Sequence, residues 1–161
     1  MKLFISAALL LSSSLVFAMP TVGDFADYDG VATKGDQTAV FDYTTMISAF
    51  DAATQNYTLH TVLTYNGKAT PSDSPTASNQ LYSEANVASI LANCASVNGS
   101  LQNLVTAAGT FNTCAAPITG SDFTGTIWIA SVPFGFAKMT QVKTSSGQTT
   151  TIALKSFTFG K

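Results

Sequence analysis

Residues 57–67 have the sequence YTLHTVLTYNG, and this stretch indicates an antiparallel sheet. The odd-numbered positions from Tyr57 to Tyr65 share one face of a strand and the even-numbered positions share the other, because strand side chains alternate with a period of two. The run ends at Asn66-Gly67, the dipeptide that best accepts the positive φ values of a tight hairpin turn. We therefore predict that the chain turns back at residue 67.

Strand-like runs lie on both sides of this stretch. They cover residues 22–33, 38–50, 101–113, 126–132, 134–144 and 149–159. In the last run, Ile152 and Leu154 fall on one face whereas Phe157 and Phe159 fall on the other. Either a β-bulge near Lys155 or a strand covered on both sides would account for this switch.

Two segments between the strand runs lack the alternation. Residues 70–79 contain Pro71, Pro75 and several Ser and Thr residues, which predicts a loop. From Ser83 to about Ser96 the apolar residues follow helical spacing, and Ser83 is a suitable N-cap. The apolar positions of this predicted helix are Val87, Ile90, Leu91 and Cys94.

These patterns predict an α+β fold in one β-rich domain that spans residues 19–161. The sheet is expected to have seven to nine antiparallel strands in meander order, with the single helix packed on it. Removal of the first 18 residues leaves 143, a length that suits one hydrophobic core.

The first 18 residues have the features of a cleavable signal peptide. Lys2 supplies the positive charge, an apolar stretch follows, and Val16 and Ala18 are the small residues before the cleavage point. The apolar stretch is shorter than the roughly 20 residues that a membrane-spanning helix needs. We therefore expect export to the periplasm or the extracellular space, with no membrane-spanning segment after cleavage.

The charge pattern argues against a nucleic-acid partner. Six lysines and nine acidic residues follow residue 18, giving a formal charge of −3, and the sequence contains no arginine. Proteins that bind nucleic acids hold phosphates with clustered Lys and Arg. The surface is instead expected to carry many neutral Thr, Ser, Asn and Gln side chains.

Cys94 and Cys114 are the only cysteines, and we expect them to form a structural disulfide because exported proteins fold in oxidising surroundings. Two cysteines and the sole histidine, His60, do not provide the four ligands of a zinc site. No G-x-S-x-G motif is present, and His60 has no recognisable catalytic companions in the sequence. We therefore predict no catalytic residues, no metal site, no cofactor and no enzymatic activity.

Asp24, Asp27 and Asp29 form an acidic cluster near the start of the domain. Such clusters bind calcium in some exported proteins, but the spacing here differs from that of a calcium-binding loop. Solvent-facing acids on an edge strand are the favoured interpretation, because charge there discourages the addition of another strand. The sequence leaves cation binding open.

The C-terminal segment WIASVPFGFAK, residues 128–138, followed by Ser146-Gly147 and Gly160, resembles the ending of a group of uncharacterised exported bacterial proteins. In that group, a Trp strand leads into a Pro-Phe-Gly-x-x-Lys turn and a last hairpin. The ending is also distantly similar to periplasmic lipoprotein carriers of the LolA/LolB type. This resemblance, which covers about a fifth of the chain, implies a strongly curved half-barrel that holds a helix in its hollow. It implies no catalytic residues.

The half-barrel suggests that the protein binds an apolar or lipid-like ligand. The predicted pocket lies between the helix and the aromatic-rich strands; its residues are Val87, Ile90, Leu91, Trp128, Phe134 and Phe136. The same aromatic residues would instead fill the space if the helix packs tightly. A structural or surface-interaction protein of the cell envelope, without a small-molecule ligand, is therefore the alternative.

Overall fold

The computed structural model describes residues 20–161, so the predicted signal peptide lies outside the described residues. Within residues 20–161, nine strands and one α-helix form the fold. The strands are β1 (Phe25–Lys34), β2 (Gln37–Asp51), β3 (Asn56–Tyr65), β4 (Lys68–Ala77), β5 (Ser100–Thr106), β6 (Gly109–Thr119), β7 (Phe123–Ile129), β8 (Phe136–Lys143) and β9 (Thr149–Thr158). The helix α1 covers Glu84–Ala92. No helix within residues 20–161 has the length and hydrophobicity required to cross a bilayer.

All nine strands belong to one antiparallel sheet, in the order β4-β3-β2-β1-β9-β8-β7-β6-β5. The first and last strands pair at its centre, and a meander extends from each of them to one edge. The predicted meander sheet with one helix is confirmed. The acidic residues of β1, however, lie on a central strand, so the expectation of an edge strand is wrong.

The segment predicted as a loop after Asn66-Gly67 is the edge strand β4, which pairs with β3 from Lys68 to Ala77. Its prolines do not interrupt this pairing. Tyr65 and Lys68 flank the two-residue turn and exchange hydrogen bonds, so Pro71 and Pro75 occupy positions whose N–H would point away from β3. Proline is tolerated in an edge strand at such positions.

The sheet is strongly curved. In sheet order, β9 and β5 are four strands apart, which is about 19 Å in a flat sheet. The backbone N–H of Ala108, at the tip of the β5–β6 hairpin, nevertheless donates to the carbonyl of Leu154 in β9, with an N···O distance of 3.4 Å. Ala108 and Phe111 of this hairpin also pack against the cluster that contains Tyr28 and Leu154. The hairpin therefore folds back over the face that carries these two side chains, and we call this face concave.

Two hydrophobic clusters fill the concave side. The larger surrounds Tyr28 and Leu154, both fully buried, and includes residues of the β7–β8 connection and the β5–β6 hairpin. The smaller lies between α1 and strands β6 and β7, with Val87 of α1 packed against residues such as Ile129. The helix begins after Ser83, whose hydroxyl accepts from the N–H of Asn86. It is shorter than predicted, because a 3₁₀ turn replaces its last turn at Cys94–Val97.

The switch of faces in β9 is explained by a β-bulge at Lys155. Asp27 pairs with Ser156 and Tyr28 pairs with Leu154, so Lys155 has no partner opposite it. The extra residue brings Phe157 onto the same side as Leu154, where it packs in the larger cluster. The bulge alternative of the sequence analysis is therefore confirmed.

Candidate functional site

A row of directly paired residues crosses the concave face from β6 to β4. Because residues directly opposite each other in an antiparallel pair point to the same side, these side chains share one surface. The row consists of Ala116, Ile127, Met139, Ile152, Gly30, Phe41, Tyr65 and Lys68. An adjacent row consists of Leu154, Tyr28, Tyr43, Leu63 and Thr70.

These rows are covered unevenly. Ala116 and Ile127 lie beneath α1, in the cluster that also contains Ile90 and Leu91. At the opposite end, Leu63 is 44% exposed and Tyr65 is 47% exposed, although both point to the concave side. The concave face is therefore closed under the helix and open over β2 and β3. We call its open part, formed by Phe41, Tyr43, Leu63 and Tyr65, the apolar strip.

Gly30 allows the apolar strip to lie close to the sheet. A Cβ atom at this position would come 2.1 Å from Cε2 of Phe41, so only glycine leaves room for the Phe41 ring across β1. The ring thereby joins the strip to the larger cluster, against which Phe41 and Tyr43 both pack.

Two tyrosines supply polar groups at the inner end of the strip. Tyr28 stacks on Phe136, with ring centroids 5.0 Å apart, and its hydroxyl donates to the carbonyl of Phe136 at 3.4 Å. The Tyr43 ring lies 6.1 Å from that of Tyr28. Burial raises the pKa of both phenols, so both remain hydrogen-bond donors at neutral pH.

The structure separates the six residues of the predicted pocket. Val87, Ile90 and Leu91 belong to the smaller cluster, together with Cys94 and Cys114. Phe134 and Phe136 pack in the larger cluster. Five of the six residues are thus divided between two hydrophobic clusters.

Trp128 makes a different contact. It alternates along β7 with Ile127 and Ile129, which pack beneath the helix. Strand neighbours point to opposite faces, so Trp128 lies on the convex side. There the Nζ of Lys138, its direct cross-strand partner, lies 4.8 Å from the ring centroid in a cation–π contact.

The apolar strip was missed by the sequence analysis, although a signal for part of it was present. Leu63 and Tyr65 belong to the alternating run that predicted β3, on the face shared with Tyr57. The exposed apolar surface could be assigned to this face, and not to the aromatic-rich C-terminal half, only from the strand order. That order places β2 and β3 away from the helix.

Cys94 and Cys114 form a disulfide, with their Cα atoms 5.6 Å apart. This bond joins the 3₁₀ turn after α1 to β6 and confirms the predicted pairing. A Cβ atom on Gly99 would lie 2.6 Å from Sγ of Cys114 and 2.7 Å from Sγ of Cys94. The chain can therefore pass over the disulfide only because residue 99 has no side chain.

Lys155 occupies the centre of an acidic cluster on the convex side. Its Nζ lies 3.0 Å from Oδ1 of Asp42, 3.3 Å from Oδ1 of Asp29 and 3.8 Å from Oδ2 of Asp27. The hydrogen bonds to Asp42 and Asp29 raise the pKa of Lys155 well above its usual value. Burial raises the pKa of Asp27, and the charge of Lys155 opposes that rise. An ammonium group thus occupies the position that the acidic motif offered to a metal ion.

Asp24 serves a separate purpose. One carboxylate oxygen accepts from the backbone N–H of Thr21 at 2.9 Å, and the other accepts from that of Gly160 at 2.8 Å. The side chain is only 7% exposed and joins the segment before β1 to the segment after β9. Within residues 20–161, no three His, Cys, Asp or Glu side chains are arranged to hold a metal ion.

His60 pairs with Asp73 across β3 and β4, with 2.8 Å between Nδ1 and Oδ1. It alternates with Leu59 and Thr61, so it lies on the convex side, away from the apolar strip. Both side chains of the pair are solvent-exposed, at 37% and 66%. The contact is an exposed cross-strand pair of a kind that contributes little to stability.

The comparisons with known proteins identify a fold. No family model matches the chain, and no curated protein matches it by sequence. A protein from Bacteroides fragilis, assigned as exported and described as having a YmcC-like fold, superposes with a TM-score of 0.50 at 10% sequence identity. The superposition covers 88% of this chain and 98% of that one. At this identity the likeness establishes the fold alone.

Two more distant structures resemble the same sheet. MucB from Pseudomonas aeruginosa, solved in complex with MucA, has a TM-score of 0.44 at 9% identity; the match covers 86% of this chain and 52% of that one. A domain from Vibrio parahaemolyticus, assigned to outer-membrane lipoprotein sorting, has a TM-score of 0.30 at 6% identity, covering 87% and 86%. The comparisons establish no family for this chain.

Proposed function

We propose that this protein acts outside the cytoplasm and binds an apolar, lipid-like ligand along the apolar strip. The main observation behind this proposal is the exposure of Leu63 and Tyr65. Both side chains remain nearly half exposed on the face that elsewhere forms the protein core. Ligand sites are usually concave and mainly apolar, with a few polar groups. The strip has this composition, since Tyr43 supplies a phenol beside the aliphatic and aromatic side chains.

The disulfide supports a location outside the cytoplasm. Disulfides are rare in cytosolic proteins, where thiols are kept reduced. The Cys94–Cys114 bond and the signal-peptide pattern of residues 1–18 therefore point to the same compartment.

An acyl chain would fit the strip better than a compact polar molecule. Because Phe41 and Tyr65 are direct cross-strand partners, as are Tyr43 and Leu63, the four side chains form two adjacent pairs. A flexible hydrocarbon could lie along these two pairs and bury apolar surface against all four side chains. The apolar contacts would supply the binding free energy, and the Tyr43 hydroxyl would orient a polar head.

Titration with a fluorescent fatty acid tests this proposal. We expect saturable binding to the wild-type protein and roughly tenfold weaker binding to the Leu63→Asn variant, the effect of losing about 1.4 kcal/mol of apolar contact. The matched control is Val40→Asn. Val40 is an apolar β2 residue that is 66% exposed and pairs with Val31 on the convex side. This variant should bind like the wild type.

Failure of the wild-type protein to bind the probe, or equal weakening by both substitutions, would refute the proposal. Extraction of the purified protein with organic solvent gives an independent readout, because a bound lipid would appear in its mass spectrum. Without binding or extracted lipid, a structural or surface-interaction role becomes the better explanation. The last strand of the sheet order, β5, favours such a role because its sequence SLQNLVT contains no charged residue.

A further inference from the structure

The two edges of the sheet differ in how they are protected against the addition of another strand. The β4 edge contains Pro71 and Pro75, which remove two outward N–H groups, together with the charged residues Lys68 and Asp73. Proline and charge are the usual means of blocking an edge. The β5 edge has the sequence SLQNLVT and contains neither proline nor charge.

Within the part of the chain that the structure describes, β5 pairs only with β6. Thr106 and Gly109 flank the two-residue turn and form the first hydrogen-bonded pair. Hydrogen-bonded and non-hydrogen-bonded pairs then alternate along the hairpin. Leu101, Asn103 and Val105 therefore direct their backbone N–H and C=O groups away from β6.

Two of the side chains on this edge are large, apolar and exposed. Leu101 is 56% exposed and Val105 is 75% exposed, the highest fraction among the large hydrophobic residues of the described chain. They are placed symmetrically around Asn103, two residues away on each side. If a second β5 strand ran antiparallel to the first with the two Asn103 residues opposite each other, each Leu101 would face a Val105 of the second copy.

We infer that β5 pairs with β5 of a second copy of this chain, forming a two-fold symmetric dimer with one continuous sheet. In this register, the outward backbone groups of Leu101, Asn103 and Val105 meet the same groups of the other copy. The exposed apolar side chains become cross-strand neighbours, and no like charges face each other. The uncharged, self-complementary sequence favours an identical strand as the partner.

Sedimentation velocity over a concentration series tests this inference with variants that place like or opposite charges at positions 101 and 105. The wild-type protein should show a reversible monomer–dimer equilibrium. Leu101→Lys combined with Val105→Lys places lysines opposite lysines, so we expect at least tenfold weaker dimerisation. Leu101→Lys combined with Val105→Glu places each lysine opposite a glutamate of the other copy. This variant should dimerise much more tightly than the double-lysine variant.

The matched control places the same charges on the other edge. Thr70→Lys and Ser74→Lys have the same four-residue spacing on exposed positions of β4 and should leave dimerisation unchanged. A second measurement uses Asn103→Cys, which a short bismaleimide should crosslink to its own copy, because the chain has no other free cysteine within residues 20–161. A wild-type protein that stays monomeric, or a lysine–glutamate variant no better than the double-lysine variant, would overturn the inference. These assays need no ligand, so their outcome is independent of that of the ligand-binding test.

Discussion

The turn between β7 and β8 contains two consecutive residues in the left-handed region of backbone conformation. Phe134 has φ 63° and ψ 4°, and Gly135 has φ 76°. A Cβ atom on Gly135 would lie 2.6 Å from Cβ of Tyr82, in the segment that leads into the helix. Close packing therefore explains the Pro-Phe-Gly sequence of this turn, in which Phe134 is partly buried against the larger cluster.

Gly135→Ala should destabilise the protein by more than backbone strain alone. Gly147 is the matched control, because its φ is 67° and an added Cβ would have no neighbour within 4 Å. We expect Gly147→Ala to cost about 1 kcal/mol and Gly135→Ala to cost roughly 2–3 kcal/mol, since only the second also creates a steric clash. Chemical denaturation of both variants measures the difference. An equal decrease in the free energy of unfolding for both variants would show that the contact with Tyr82 does not affect stability.

Some individual positions could be predicted from sequence and others could not. The change of parity between Leu154 and Phe157 predicted either a bulge near Lys155 or a strand covered on both sides, and the structure shows the bulge. The partners of Asp27 and Asp29 were not predictable. Their carboxylates surround a lysine that is more than 120 residues away in the sequence, and only the β1–β9 pairing brings them together.

The helix was predicted at nearly the correct place because its signals are local: the Ser83 cap and the spacing of its apolar residues. Strand β4 was not, because proline and serine outweighed its weak strand character. The register set by Asn66-Gly67 nevertheless carried the necessary information. Pro71 and Pro75 have the same parity, and in a two-residue hairpin this parity points outward.

Replacement of both cysteines by serine tests the contribution of the disulfide to the attachment of α1. The bond closes a loop with a sequence separation of 20 residues, so its loss should cost about 3 kcal/mol on the chain-entropy model. Hydrogen exchange should then increase most strongly in α1 and in the 3₁₀ turn that follows it. Unchanged exchange in these segments would show that Val87 and its neighbours hold the helix without the covalent link.

The architecture of the whole molecule depends on the central pairing of β1 with β9. Composition and periodicity specified the strands, but they carried no information about which distant strands would meet. The open part of the concave face follows from the same pairing, because it places β2 and β3 on the side of the sheet away from α1. The apolar strip could therefore be located only from the assembled sheet.

Lys155 at this central pairing should make stability depend on pH. Lys155→Met leaves Asp27, Asp29 and Asp42 without their cation, so the pKa of Asp27 should rise further. A folded-state pKa above the ordinary value of 3.8 means that protonated Asp27 stabilises the fold relative to ionised Asp27. This stabilisation is complete below 3.8 and is lost as the pH rises through the folded-state pKa. The variant should therefore melt below the wild type at neutral pH, and this difference should shrink as the pH falls through the folded-state pKa of Asp27 toward 3.8.

Thermal unfolding across this pH range provides the measurement, with Lys34→Met as the control. Lys34 is an exposed lysine at the end of β1, and its replacement should shift the melting temperature equally at every pH. For Lys155 itself the raised pKa acts in the same sense at higher pH: its stabilisation is complete below 10.5 and is lost as the pH rises through the folded-state pKa. A pH-independent difference between Lys155→Met and wild type would contradict this assignment.

The pairing of the first strand with the last also determines when the fold can be completed during synthesis. As the chain leaves the ribosome, β1 can pair with β2 at once, but its other neighbour is made last. Until then, Tyr28 and Ala26, which are fully buried in the finished molecule, lack the strand that covers them. A nascent chain that ends before residue 149 would thus expose the unpaired edge of β1 and the apolar side chains beside it.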